Sequence, residues 1–319
     1  PPPGTQGGFS MTRRFGLPAL VLVAAMLVTG AAYAADGKAG STYTDVFGIG
    51  VGAAPSAVAA YTAVPGGLWS LTYNPAGLYA IPRLQLGVSQ IEWFDDTSFS
   101  YLGLGLPRGD GGLALGLAYF DKGSVPGKDW HGTDIEAADA YDFGFIGGYG
   151  FHVPNICSLR GGVSGHVIQA SLDNASATAI GVNLGLLYGL MEDQVQLGLA
   201  VRNLGTKLEF DSGEDEQALT FAGGVSYMTM PEQIPNVDVM VGLDAYLPKD
   251  QDFQFGVGGE VWVYNTLALR VGYRSGPEFG NLGYGAGFKY GDFQLDYTYA
   301  DYEDLQATHR ISLTMGFGD

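Results

Sequence analysis

The sequence is short of cysteine, of charge and of basic residues. Cys157 is the single cysteine among 319 residues, which excludes a disulfide framework and a cysteine-rich metal site. Charged residues make up 15% of the chain, against ~25% in soluble proteins. Fifteen Lys and Arg face 33 Asp and Glu, a net charge of −18, so the basic surface that nucleic-acid binding needs is missing. His131, His152, His166 and His309 are scattered, and no pair has zinc-site spacing. Asp211, Glu214, Asp215 and Glu216 lack the alternating ligands and turn glycine of a calcium loop and read as a solvated loop. Ser164 and His166 share one segment with no third partner, so no hydrolase triad is assigned. Gly48–Ala53 lacks the preceding strand and following acid of a phosphate-binding loop. No enzyme and no cofactor is expected. What is abundant is glycine, 51 residues without a collagen period, about double the usual ~7%. Hydrophobic residues, at 46%, are too many for a disordered chain.

Residues 1–10 read as an upstream extension. Met11 is followed by Arg13 and Arg14, by the uncharged apolar run Leu17–Thr29, and by Ala32-Tyr33-Ala34. A charged start, a short apolar run and small residues at the cut form a secretory signal peptide over 11–34. Cleavage is expected between Ala34 and Ala35. The run is shorter than the ~20 residues of a membrane-spanning helix.

From Leu84 onward, hydrophobicity alternates with a period of two. Leu113, Leu115, Leu117 and Tyr119 oppose Ala114, Gly116 and Ala118; Leu267, Leu269, Val271 and Tyr273 oppose Ala268, Arg270, Gly272 and Arg274. Strand side chains point alternately to opposite faces, so each segment has one greasy face and one small or polar face. Fourteen such segments span 84–93, 98–106, 112–120, 140–152, 159–171, 176–189, 195–208, 218–229, 237–247, 253–264, 267–275, 282–290, 293–301 and 308–317. Most have the ~9–11 residues that cross a bilayer as a tilted strand. A water-washed sheet would carry more Lys and Glu than the Gly, Ala, Ser and Thr seen here. Aromatics gather near segment ends, at Trp93, Phe94, Phe151, Trp262, Tyr264, Tyr290 and Phe317, as in the girdles of a transmembrane barrel. With both barrel ends inside, the outer connections include the longest, 121–139 and 209–217, and hold 18 Asp and Glu, against 5 in the inner turns. Short inner turns and long outer loops are the usual asymmetry. The fold class is all-β: an antiparallel barrel of about fourteen strands over 84–319, preceded by a plug over 35–83.

The plug follows from Val46–Pro82, which carries no charge. Gly48, Gly50, Gly52, Pro55, Pro65, Gly66 and Gly67 break it as a helix, and Ser56–Val64 is its longest uninterrupted piece. Irregular backbone is not tolerated against lipid, so the segment belongs inside the barrel or against its inner mouth. Gly48-Ile49-Gly50-Val51-Gly52-Ala53, Trp69 and the run Tyr73-Asn74-Pro75-Ala76-Gly77-Leu78 resemble the N-terminal region of the PorV/PorQ outer-membrane family. Glu260-Val261-Trp262, Leu267–Arg274 and His309–Leu313 resemble it too. That family is similar to the FadL fatty-acid transporters, which also carry an Asn-Pro-Ala run in an N-terminal hatch. The resemblance implies a 14-stranded barrel in the bacterial outer membrane, with Asn74, Pro75, Ala76, Gly77 and Leu78 as the hatch motif. It further implies transport of hydrophobic compounds or protein secretion. The alternative is a type IX secretion component or surface barrel docking secreted proteins on its acidic loops. Expected partners are outer-membrane lipid and lipopolysaccharide, a hydrophobic small molecule and secretion-system proteins.

The inward faces carry Asp142, His166, Arg202, Asp238, Asp244, Glu260, Arg270, Arg274, Asp296 and Arg310. Either these pair with one another and fill the lumen, or some touch a ligand. Glu260, Arg270 and Arg274 are the candidate contacts, the two arginines on one face suiting a carboxylate.

Overall fold

The computed structural model describes residues 42–43, 46–94, 97–128, 131, 134–173, 175–210, 213–231, 234–249, 251–276, 281–302 and 307–318. The expected signal peptide and the Ala34–Ala35 cut lie outside the described residues. Fourteen strands close on themselves: β2 (Leu84–Glu92), β3 (Ser98–Arg108), β4 (Gly111–Lys128), β5 (Asp134–His152), β6 (Leu159–Leu172), β7 (Ala175–Leu190), β8 (Val195–Gly205), then β11 (Thr220–Thr229), β12 (Val237–Pro248), β13 (Gln254–Val263), β14 (Leu267–Arg274), β15 (Asn281–Tyr290), β16 (Phe293–Asp301) and β17 (Thr308–Phe317). Every pairing is antiparallel, and β17 closes on β2 from His309↔Glu92 to Phe317↔Leu84. Closure leaves no strand edge unpaired, which is what lets a sheet sit in hydrocarbon.

Leu102, Leu117, Phe145, Val167 and Ile180 are cross-strand partners in one continuous row, and all are exposed on the outer face. Exposed apolar residues continue around the other wall at Val241, Leu243, Val257, Leu269, Val271, Leu295 and Ile311. Two long outer connections prove more ordered than a loop. Residues 121–139 are largely strand, because β4 and β5 stay paired beyond the barrel through two register shifts, up to Lys128↔Asp134. Within 209–217 lies part of a hairpin of β9 (Leu208–Phe210) and β10 (Gly213–Gln217). Leu208 buries itself against Ala170, Ala177 and Ala179 on the inner face of β6 and β7, and β1 (Thr42–Tyr43) pairs parallel with β10.

Between β1 and β2 the chain fills the lumen. Helix α1 (Ala53–Val58) ends at Ala59, which turns into the left-handed region at φ 61°. The helix starts earlier than the run Ser56–Val64 suggested. Pro55 falls in its first turn, where no backbone N–H is needed for the helix. Helix α2 (Ser70–Tyr73) and a 3-10 turn over Pro75–Ala80 follow. No described helix is long and apolar enough to cross a membrane.

The small inward residues form two troughs. Gly242, Gly258, Gly272 and Gly283 are successive cross-strand partners, and the Ala57–Ala60 backbone lies along them. A Cβ at Gly258 would stand 2.0 Å from the Val58 carbonyl oxygen. Gly112, Gly150, Gly162 and Gly185 form the second row, under Asn74–Tyr79. There a Cβ at Gly162 would stand 2.2 Å from the Ala76 nitrogen. No residue larger than glycine lets two backbones approach this closely.

Candidate functional site

The Asn74–Leu78 motif fastens the segment that fills the lumen to the barrel wall. Asn74 Oδ1 accepts the Ala76 N–H at 3.1 Å and caps the 3-10 turn, with Pro75 in the first position. Its Nδ2 donates to the Thr62 carbonyl at 2.7 Å and to the Leu186 carbonyl of β7 at 3.1 Å. One fully buried side chain thus ties two hatch segments to the wall. Gly77 is required because Ser70 stands where a Cβ would go, and Leu78 is fully buried in the main apolar core. At the inner end, Tyr79 lies under the Arg160 guanidinium, 4.7 Å from its ring centre, and Arg83 pairs with Asp292. Asp193, in the turn between β7 and β8, forks onto Arg160; these hydrogen bonds hold its carboxyl below the usual range.

On the opposite side the hatch is held by polar groups. Asp244 Oδ2 accepts the backbone N–H groups of Tyr61 and Thr62, each at 2.7 Å, and the Tyr246 hydroxyl at 2.8 Å. Thr298 Oγ1 donates to the Ala53 carbonyl, and Ser312 Oγ accepts the Ala53 N–H. Arg310 donates to Ser56 Oγ, the Ile49 carbonyl and the Tyr302 hydroxyl.

Above the hatch, at the outer end, a vestibule of about 330 Å³ opens. Its floor is Phe47 and Ile49 of the hatch; its walls include Trp93, Tyr302, Arg202 and Arg274. Arg202 sits where the β7–β8 ladder opens. There Arg202 and Asn203 face the single residue Asn183, with Asn203 at φ 61°, a β-bulge of the kind found beside functional sites. Arg202 and Arg274 both lie over the Tyr246 ring, at 5.7 and 4.4 Å. Among the described residues neither meets a carboxylate, and the Arg202 Nε is buried without a hydrogen-bond partner.

The three expected contact residues therefore part company. Arg270 is enclosed, forking onto Glu260 and onto Asp296, the latter at 2.8 Å, and stacks on Trp262. With Glu260 it lines a lower cavity of about 280 Å³ on the inner side of the lumen. Arg274 lines the vestibule instead. A carboxylate gripped jointly by Arg270 and Arg274 is not the arrangement found: four residues along a strand is ~13 Å, and two acids already occupy the Arg270 fork. The companion of Arg274 is Arg202, brought beside it from a distant strand. Trp93 and Trp262, expected in the lipid-facing girdle, point inward under Arg310 and Arg270; Tyr264, Tyr290 and Phe317 are exposed outside. Glu214 and Glu216 are paired by Lys207 and Lys249, while Asp211 lies outside the described residues. Lys249, and after it Lys207, hold the Glu216 carboxyl below its ordinary range.

No family model matches the chain, and no curated protein does. Solved structures do. The CymD monoaromatic hydrocarbon channel superposes with a TM-score of 0.60 at 15% identity, over 85% of this chain and 98% of that one. The Pseudomonas putida toluene transporter TodX gives 0.59 at 14%, over 85% and 99%. A Pseudomonas aeruginosa FadL homologue gives 0.53 at 13%, over 84% and 98%. The chain shares their fold. Its greasy outer belt and closed sheet place it in the bacterial outer membrane. One of these structures is a FadL homologue, the other side of the sequence resemblance, and no family model or curated protein supports PorV/PorQ in particular.

Proposed function

We propose that the protein conducts small hydrophobic compounds across the outer membrane. The observation that carries this reading is the corked barrel itself. A hatch uncharged from Val46 to Pro82 occupies the lumen, so no wide aqueous pore is left among the described residues, and a vestibule with Phe47, Trp93 and Tyr302 in its lining stands above it on the outer side. A wet general pore has a polar, open interior; this one is filled by its hatch, and its mouth sets aromatic rings beside polar side chains. The fold shared with proteins named as a monoaromatic hydrocarbon channel and a toluene transporter supports the same reading.

The test uses cells that lack their own hydrophobic channels and whose lipopolysaccharide leaflet slows apolar solutes. Expression of this chain is expected to accelerate uptake of labelled toluene several-fold over cells carrying an empty vector. Equal uptake in the two would sink the reading.

A further inference from the structure

Three cavities adjoin one another down one side of the lumen. The vestibule shares Ile49, Arg274 and Tyr302 with a small chamber of about 60 Å³. That chamber shares Tyr61 with the lower cavity beside Glu260, Arg270 and Trp262. Tyr61 stands between the two lower spaces, edge-on against Tyr73 with ring centres 5.3 Å apart. Tyr61 belongs to the hatch stretch after α1 and is held to Asp244 by its backbone N–H, a fastening in which its side chain takes no part.

Arginines line this series. Arg202 and Arg274 face the vestibule and Arg310 the middle chamber, and none of the three is paired with an acid among the described residues. In the lower cavity Arg270 is met by both Glu260 and Asp296. The outer two spaces therefore attract an anion, and the lowest, with two acids against one arginine, does not. Conduction needs binding firm enough to admit a solute and weak enough to release it, and this order of charges supplies both. The acidic outer loops oppose an anion only weakly, because exposed charges are screened beyond ~8 Å. Phe47, Trp93 and Tyr302 give the vestibule aromatic walls beside its guanidiniums.

Building on the transport reading above, we propose an axial path along the β11–β17 wall, through these three cavities in turn. Tyr61 is its gate, and Arg202 and Arg274 select single-ring aromatic carboxylates at its outer end. The guanidiniums fork onto the carboxylate, and the ring lies against the aromatic walls.

Purified protein in liposomes at pH 8, where benzoate is ionised and crosses a bare bilayer slowly, tests this directly. Wild-type protein is expected to accelerate benzoate influx over empty liposomes. The double variant Arg202→Gln/Arg274→Gln should lower that influx at least tenfold while its barrel still shifts on gels with heating. Tyr61→Ala should raise it several-fold; Tyr61→Val serves if the alanine variant does not fold. Benzoate influx equal to empty liposomes, or unchanged in the arginine variant, overturns the selection. Influx unchanged in the Tyr61 variant overturns the axial path. Toluene uptake in cells is a separate readout, so failure of the selection and failure of the general transport reading are told apart.

Discussion

The two walls of this lumen hold the same hatch by different physics. Against β2–β6 the hatch presents Val46, Phe47, Leu68, Leu71, Leu78 and Ile81, which pack with Ile91, Phe99, Tyr101, Ile146 and Ile168 in one dry core. Glycine troughs receive hatch backbone on both walls, but against β12–β17 the hatch is held mainly by polar side chains, Asp244, Thr298, Ser312 and Arg310, with one small apolar cluster of Val58, Ala60 and Val64 on Met240. Apolar packing fills space without gaps, so the first wall is sealed. Hydrogen bonds are directional and leave room between anchor points, so the second wall retains cavities. The difference teaches that one plug can be sealed on one side and leave space on the other. On the proposed path it stays packed on its dry side while the Tyr61 side chain moves on the other.

The largest effect is expected on the polar wall. Arg270→Met leaves the buried Asp296 and the half-buried Glu260 without their cation, at ~3–5 kcal/mol for breaking one partner of a buried pair. Urea unfolding of the refolded barrel measures it, and Arg270→Met/Glu260→Gln/Asp296→Asn should recover a large part. A loss under ~1 kcal/mol would show that this wall is not held by its charges. On the dry wall, Leu78→Ala should cost ~2–5 kcal/mol, the range for a truncated buried leucine, with no rescue from any charge change. Next comes a paired test of the troughs. Gly162→Ala drives a methyl into the Ala76 backbone and should cost ~1–3 kcal/mol as overpacking. Gly165→Ala, whose added Cβ would meet only a carbonyl at 3.8 Å, should fall within ~0.5 kcal/mol of wild type. Equal costs would mean that the hatch does not rest in the glycine row.

The smallest effect is acid-linked. Arg160 depresses the Asp193 carboxyl in the folded protein. That contribution is present above the unfolded value of ~3.9 and is lost as pH falls through the lower, folded one. The pair is partly exposed, so its worth is ~1 kcal/mol or less. Asp193→Asn should flatten the fall in stability below pH 4, read as hatch accessibility to protease.

Much of the barrel was written in local pattern. Each expected segment overlaps one barrel strand, β2 and β16 within a residue of the boundaries read from alternation. Period two is a property of one strand by itself. The inward direction of Arg202, Arg270, Arg274 and Arg310 was legible for the same reason. Trp262 was legible too, and was misread: it shares parity with Glu260, which marks the inner face, but its place near a strand end suggested a lipid girdle. Pro55 looked like a helix breaker because a proline's effect depends on which turn it occupies, which the composition of the run does not show.

What the sequence determined by itself was the kind of surface each strand offers: greasy on one side, small or polar on the other. Register, closure and the path of the hatch decided which of those side chains meet. The troughs exist only because Gly242, Gly258, Gly272 and Gly283 fall opposite one another on four strands. Arg202 reaches Arg274 only because β8 pairs with β11 and the wall curves round through β12 and β13 to β14. Alternation is a short-range consequence of strand geometry. Which residues become neighbours across a closed sheet depends on pairings between segments far apart in the chain, and no local pattern encodes them.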